Sequence, residues 1–569
     1  MHYKSLKTSK CNIILLLFLT IAVACSRSAK NVDQNQENIF LHSIEITYNE
    51  QQTTISADSI EGVSVSTDEQ GNVTIQSLAE KVNYIVSGQT KQGSLCINSK
   101  KTFALTLKNV NMQSVGAPTL RIVGNGDLFL FLPEKSQNYL TDDAQSPQAN
   151  KATLKQWAAL YCAGNMIVAG EGSLSLSSHC KQAIRVGGNM NIVGNPTINA
   201  ISDQHHAMSV KGNLSIDGGT TTAHAIADGK NALKVGGYIC IEQGKLTLIA
   251  DGNAKQKSKH LGDYKTTAAM VADSSINIRS GIVEIHTTGD AAKGIKTKSA
   301  LTISGGQLTI SALGTSEHGS AKGIKAFGNI TISGGNIDVL SATSEGIESK
   351  NNMTICGGQV SVEASDDAIN ASTHLLISGG NIWARSARND GLDSNGNLCI
   401  EGGTITAIGG PMPESGIDAN DEEGYAVYIS GGTLKAVGGW NSLPLQNNPS
   451  QPILTFDADL SVISVNTASG DTLLTFDATT TDAFRIKPDT LHPNGDMPPM
   501  MPPPPMLGAI NGNMPPHFGM EISNRWNYVI SAPKLKDGEI YNIDLGEGRR
   551  IKTKAQIEPE RKMMPMPPF

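Results

Sequence analysis

Ile330-Thr-Ile-Ser-Gly-Gly335, Met353-Thr-Ile-Cys-Gly-Gly358, Leu375-Leu-Ile-Ser-Gly-Gly380 and Leu398-Cys-Ile-Glu-Gly-Gly403 are one phrase written four times. Leu301-Thr-Ile-Ser-Gly-Gly306 and Val427-Tyr-Ile-Ser-Gly-Gly432 flank them. The first Gly of each pair falls at 305, 334, 357, 379, 402 and 431, at intervals of 29, 23, 22, 23 and 29. Weaker copies continue upstream through Ser280-Gly281, Gln243-Gly244, Gly218-Gly219, Gly194-Asn195 and Glu171-Gly172. The unit is therefore 22–25 residues, and longer intervals carry an inserted loop. Aliphatics recur before the Gly pair (Ile332, Ile355, Ile377, Ile400), after it (Ile337, Val360, Ile382, Ile405) and at the unit start (Ile324, Ile347, Ile369, Leu392). Around each, apolar and polar residues alternate, the period-two signal of a strand. Three short strands per unit make one coil of a parallel β-helix, an all-β solenoid whose coils stack at about 4.8 Å. A leucine-rich repeat would need its Leu signature, and a β-propeller a blade period of about 40. Neither is present.

Composition agrees. The chain has 569 residues, 58 Gly, 5% aromatic and 17% charged residues. Between 154 and 440 only Pro196, Pro411 and Pro413 interrupt the pattern, as a ladder of paired strands requires. The net charge of −7 argues against a nucleic-acid partner. Lys4, Lys7 and Lys10 precede an apolar run that closes on Ala22-Val23-Ala24-Cys25, a pattern resembling a bacterial lipobox. The expected order is a lipoprotein signal peptide (1–24), a linker (25–45) beginning with the lipidated Cys25, and an N-terminal β region leading into the first coils (46–131). The β-helix proper (132–440) follows, with a β-rich cap from 441–487 and 519–555. A Pro/Met-rich loop (488–518) interrupts the cap, and a flexible tail (556–569) ends the chain. The cap matters because a bare sheet edge aggregates. These features place the chain in the cell envelope, anchored by lipid to a membrane, with the outer membrane favoured and either face open. The six remaining cysteines fit no zinc spacing and read as small strand residues, with a disulfide as the alternative.

The chemistry lies in two columns. The unit starts read Lys293-Gly-Ile-Lys296, Lys322-Gly-Ile-Lys325, Glu345-Gly-Ile-Glu348, Asp367-Ala-Ile-Asn370, Asp390-Gly-Leu-Asp393 and Ser415-Gly-Ile-Asp418. Both columns switch from basic to acidic at the same coil. Stacked carboxylates about 4.8 Å apart repel by roughly 3.5 kcal/mol at an effective dielectric of 20. Protonation, splaying into solvent, or a hard divalent cation relieves that cost. Ca²⁺ is the expected cofactor, with Asp366 adding oxygen beside the columns. Lys293, Lys296, Lys322 and Lys325 are candidate glycan contacts, joined by the loop carrying Lys255, Lys257, Lys259, His260 and Lys265. Trp383 and Trp440 are candidate stacking platforms for a sugar ring. His205, His206 and His318 read as solvated corner residues.

On Ser344-Glu-Gly-Ile-Glu-Ser349, Asp366-Asp-Ala-Ile-Asn-Ala371, Asn389-Asp-Gly-Leu-Asp-Ser-Asn-Gly396 and Ser415-Gly-Ile-Asp-Ala-Asn420, the chain resembles bacterial carbohydrate-binding proteins with a pectate-lyase-like, right-handed, single-stranded parallel β-helix. The resemblance implies calcium at acidic corners and affinity for plant cell-wall polysaccharide, including acidic pectin-like chains. Carried to matching positions, it names Glu345, Glu348, Asp366, Asp367, Asn370, Asp390, Asp393 and Asp418 as metal ligands. Lys322-Gly-Ile-Lys325 departs from the pattern, as does Ala368 after Asp367. The expected function is a non-catalytic, monomeric, lipid-anchored glycan binder. The alternatives are a calcium-dependent pectate-type lyase and a structural surface protein or adhesin.

Overall fold

The computed structural model describes residues 40–557 apart from 41, 51–52, 58–59, 143–154, 259, 261, 446–449, 460–463, 477–483 and 487–525. The signal peptide, Cys25, the Pro/Met-rich loop and the last residues of the tail lie outside the described residues. The chain forms two compact units that divide between Asp338 and Val339. Both are parallel β-solenoid, and the chain is all-β.

In the first unit, each coil contributes one short strand to a parallel sheet. Ten such strands are described, from Val73–Ser77 through Ala158–Cys162, Asn231–Val235 and Lys293–Thr297 to Ile324–Ala326. Three of them fall within residues 46–131, so coils begin well upstream of 132. They were hard to see because this stretch lacks the Gly pairs while keeping its aliphatics: Ile75, Ile97 and Ile122 are fully buried. The first turn is closed by antiparallel pairs, His42–Tyr48 with Thr54–Ala57 and Val63–Thr67 with Val73–Ser77. Like residues stack in register, Ile295 on Ile324 and Ile303 on Ile332. Each buried aliphatic contributes about 1.5–3 kcal/mol.

In the second unit, Ile347–Ser349, Ile369–Ala371, Leu392–Ser394 and Ile417–Ala419 form the short sheet. The other two expected strands of a coil fuse into one bent strand, as in Met353–Ala364 and Leu375–Ser386. The Gly pair is the bend. Gly380 has φ +92°, and a Cβ on Gly379 would stand 2.6 Å from the Cys356 carbonyl oxygen one coil away. The ladder shifts register there and resumes, with Ile377 on Ile400 and Ile382 on Ile405. Beyond the last coil, Trp526–Ser531 runs antiparallel between Thr433–Gly438 and Ile453–Ala458. A four-stranded antiparallel sheet follows, from Ser464–Asn466, Thr472–Thr475, Ile540–Asp544 and Arg550–Lys554. Tyr528, Ile530, Tyr541 and Ile543 form its core.

Among the described residues no helix is long and apolar enough to cross a membrane. Among the described residues no disulfide joins Cys96, Cys162, Cys180, Cys240, Cys356 or Cys399. Cys162 and Cys240 are buried strand residues, whereas Cys356 is exposed.

Candidate functional site

The acidic site is built by tight corners in the second unit. In Asp390-Gly-Leu-Asp393, a side chain on Gly391 would run 2.7 Å from the Gly416 carbonyl oxygen and 2.8 Å from the Ile408 amide nitrogen. The close approach of coils needs glycine there, with acidic side chains on either side of it. Asp393 is the register partner of both Asn370 and Asp418. Carboxylate oxygens of Asp390, Asp393 and Asp418 lie within 4.8 Å of one another.

Hydrogen bonds tie the columns together. Asn370 Nδ2 donates to Asp367 Oδ2 at 2.9 Å and also to Asp393 Oδ2. The Asp390 amide donates to Asp367 Oδ1 at 3.2 Å, and Asp390 Oδ1 accepts the Ser415 amide. Ser442 Oγ donates to Asp418 Oδ1 at 2.7 Å, and Asn389 Nδ2 to Asp366 Oδ1 at 2.8 Å. Burial first, then the charges of Asp418, Asp393 and Glu414, pushes Asp390 up to about 8 despite the Ser415 amide. Burial and neighbouring carboxylates raise Asp367, Asp393, Asp418 and Glu414 as well. A rise of that size in Asp390 amounts to about 6 kcal/mol against ionisation. The charges acting most strongly on Asp390 and Asp393 are all carboxylates.

The other expected ligands are tied elsewhere. Glu345 accepts from the Ser344 hydroxyl beside it. Glu348 is buried to 1% exposure and pairs with Lys350, a cation two residues on that shares its turn. Lys350 neutralises that charge locally, so the acidic set centres on Asp367, Asn370, Asp390, Asp393 and Asp418. Glu414 joins this set although the columns omit it. The position before the first column reads Ser344, Asp366, Asn389, Glu414, and counting that column would have found it.

The basic candidates separate too. Lys293 is buried, its Nζ donating to the carbonyls of Ala291 at 3.0 Å and Ser320 at 2.7 Å. Lys322 is also buried. Lys296 and Lys325 are register partners on the outward column and half-buried. The basic loop folds as a small antiparallel hairpin, Lys255–Gln256 with Tyr264–Lys265. Trp383 is half-buried on its strand between Ser361 and Thr406, and Trp440 is half-buried with its amide on the Glu414 carbonyl. His206 is not solvated: it is 4% exposed, and its Nδ1 accepts the Asn231 amide at 2.8 Å. His318 is half-exposed and meets Asp290 at 2.9 Å.

Fold and corners define a β-solenoid with a carboxylate cluster that joins two neighbouring columns. The family model described as "Carbohydrate-binding domain-containing protein" matches residues 69–342 and 341–389, over half of the chain. The chain belongs to this family, and its role is carbohydrate binding. No curated protein matches it. Among solved structures, it is similar to a polysaccharide lyase-like protein from C. thermocellum, determined as a gadolinium derivative. That likeness has 21% identity and a TM-score of 0.36, over 46% of this chain and 96% of the other.

Proposed function

We propose that the protein is a non-catalytic, calcium-containing lipoprotein of the cell envelope, anchored through Cys25, that binds acidic or plant-type polysaccharide as a monomer. Membership of the carbohydrate-binding family carries the glycan part of this reading. The carboxylate cluster supports the calcium part. Asp390, Asp393 and Asp418 supply hard oxygen donors in close array, and their neighbours intensify the charge. A divalent cation would offset that charge, and Ca²⁺ suits carboxylates and amide carbonyls. Asp390, Asp393 and Asp418 would hold it, with Asp367 and Asn370 adjoining. The ion would supply structural order at the corner and a positive site for a sugar carboxylate.

The lyase alternative needs a basic group to abstract a proton next to a uronate carboxylate. Lys296 is the candidate, lowered by burial and by Lys325. Incubating the protein with calcium and polygalacturonate, while following ultraviolet absorbance for unsaturated uronate, separates the two. Binding without product supports the binder, and steady product formation replaces it with the lyase. A glycan array on which nothing binds would leave the adhesin reading.

A further inference from the structure

The short sheet of the first unit turns one residue per coil outward. Four of these outward residues are Arg121, Arg185, Lys234 and Lys296, all half-buried at the stem. The register places Tyr161, Ser209 and Val271 between them, one per coil. Cations therefore alternate with neutral residues over seven consecutive coils, and Lys325 follows Lys296 directly. Cations on every second coil are spaced by about 9.6 Å, twice the strand separation. Among the described residues no carboxylate lies within ion-pair distance of Arg121, Arg185, Lys234 or Lys296.

Further cations border the column. Burial and then Lys265, Lys181, Lys255 and Lys234 push Lys230 down to about 8. Lys257, on the connection between the hairpin strands, bears on both Lys265 and Lys296. Asp273 opposes Lys296 and Asp263 pairs with Lys257, but the lysines and arginines outnumber them, so a chain with net charge −7 gathers mainly positive charge along this strip. Such a strip attracts and orients an extended anion.

We propose that this outward column is a binding track for a linear polysaccharide that carries an acidic group on every second sugar. Two coils span close to the length of a disaccharide in an extended chain, so a cation meets an anion once per disaccharide. The neutral coils between them face the uncharged sugar, and Tyr161 offers that sugar an aromatic surface. A homopolymer acidic at every sugar would set half of its charges opposite neutral residues. The anionic group is a carboxylate or a sulfate, which present the same charge and acceptor oxygens. This inference rests on the carbohydrate-binding reading and names the class of glycan.

The test compares length-matched oligomers binding the full chain by calorimetry. The probes are hyaluronan (a carboxylate on alternate sugars), chondroitin sulfate (carboxylate plus sulfate), polygalacturonate (an acid on every sugar) and a neutral β-glucan. The variant is the double substitution Arg185→Gln with Lys234→Gln, both on the outer face and remote in sequence from the acidic corners. An unchanged unfolding midpoint verifies its fold. We expect hyaluronan or chondroitin sulfate to bind more tightly than polygalacturonate, with the better of the two identifying the anion. The double variant should bind it about tenfold more weakly, the size of two half-exposed ion pairs. Added salt should weaken the wild type more than the variant. Tighter polygalacturonate binding overturns the alternation, and acidic binding that the double variant leaves intact overturns the track. Binding of the neutral glucan alone sinks the inference but leaves the carbohydrate-binding reading standing. No binding of any probe defeats that reading as well.

Discussion

Asp393→Asn removes the central charge of the acidic cluster and keeps an oxygen for the Asn370 amide to reach. Asp393 and Asp418 sit one coil apart in register, so two ionised carboxylates there repel by roughly 3.5 kcal/mol at an effective dielectric of 20. Residual protonation near these raised values and solvent screening reduce this, leaving an expected stabilisation of about 1–3 kcal/mol for the metal-free variant above pH ~8. The sign follows from the raised carboxyl values. A carboxyl that holds its proton more tightly folded than unfolded favours the fold below the unfolded value. That advantage disappears as pH rises through the folded value. For Asp390 the window runs from the ordinary carboxyl value of 3.8 to about 8. Wild type in chelator should therefore lose stability across that window, and Asp393→Asn should lose less. Calcium reverses the comparison. At one hundred times its dissociation constant an ion adds about 2.7 kcal/mol to the folded state. Changing a ligand should weaken binding by at least the 10–100-fold seen for outer partners. At the same calcium concentration the variant then gains only about 0.4–1.4 kcal/mol. Thermal unfolding in chelator and in calcium, at about pH 5 and about pH 9, reads both effects. The reasoning fails if Asp393→Asn keeps the full calcium shift, or if metal-free wild type is equally stable at both pH values.

Glu363, 1% exposed, accepts from Arg385 Nη1 at 2.6 Å, from the Arg485 amide and Nε at 3.1 Å, and from the Ile486 amide at 2.9 Å. Glu363→Ala strands the buried Arg385 and should cost about 3–5 kcal/mol in urea unfolding; a loss below ~1 kcal/mol would mean solvent reaches that guanidinium. Asp142 accepts from Trp157 Nε1 at 3.0 Å, Ser178 Oγ at 2.8 Å and the His179 amide at 2.7 Å. Asp142→Ala leaves these donors unmatched and should cost about 1–3 kcal/mol per stranded group, read by the same assay with quenching of Trp157 fluorescence. Gly380→Ala puts a side chain into a φ of +92° and should cost about 1–2 kcal/mol by thermal unfolding, whereas an unchanged midpoint would show that the bend can relax.

Much of the fold was legible because the signal is periodic and local. Ile332, Ile355, Ile377 and Ile400 precede a Gly pair every coil, and a parallel stack of strands places such columns inside. Asp390, Asp393 and Asp418 were legible for the same reason: once the period is counted, Asp393 and Asp418 are neighbours in one column and Asp390 stands in the column beside them. The fate of Lys293 was not. It stands three residues from Lys296 in a motif that looks symmetrical, but the chain turns its corner there and folds one ammonium onto backbone carbonyls. Glu348 likewise resembled Asp393 until the turn supplied Lys350.

The sequence by itself determined the repeat, the strand periodicity, the aliphatic columns and the acidic corners, because each follows from residue spacing of one coil or less. Tertiary structure decided what depends on register between distant coils. It joined Arg121, Arg185, Lys234 and Lys296 into one outward column, although 175 residues separate the first from the last and inserted loops hide the count. It also raised the carboxyl values, since burial and through-space repulsion act between side chains that only the stacking of coils brings together.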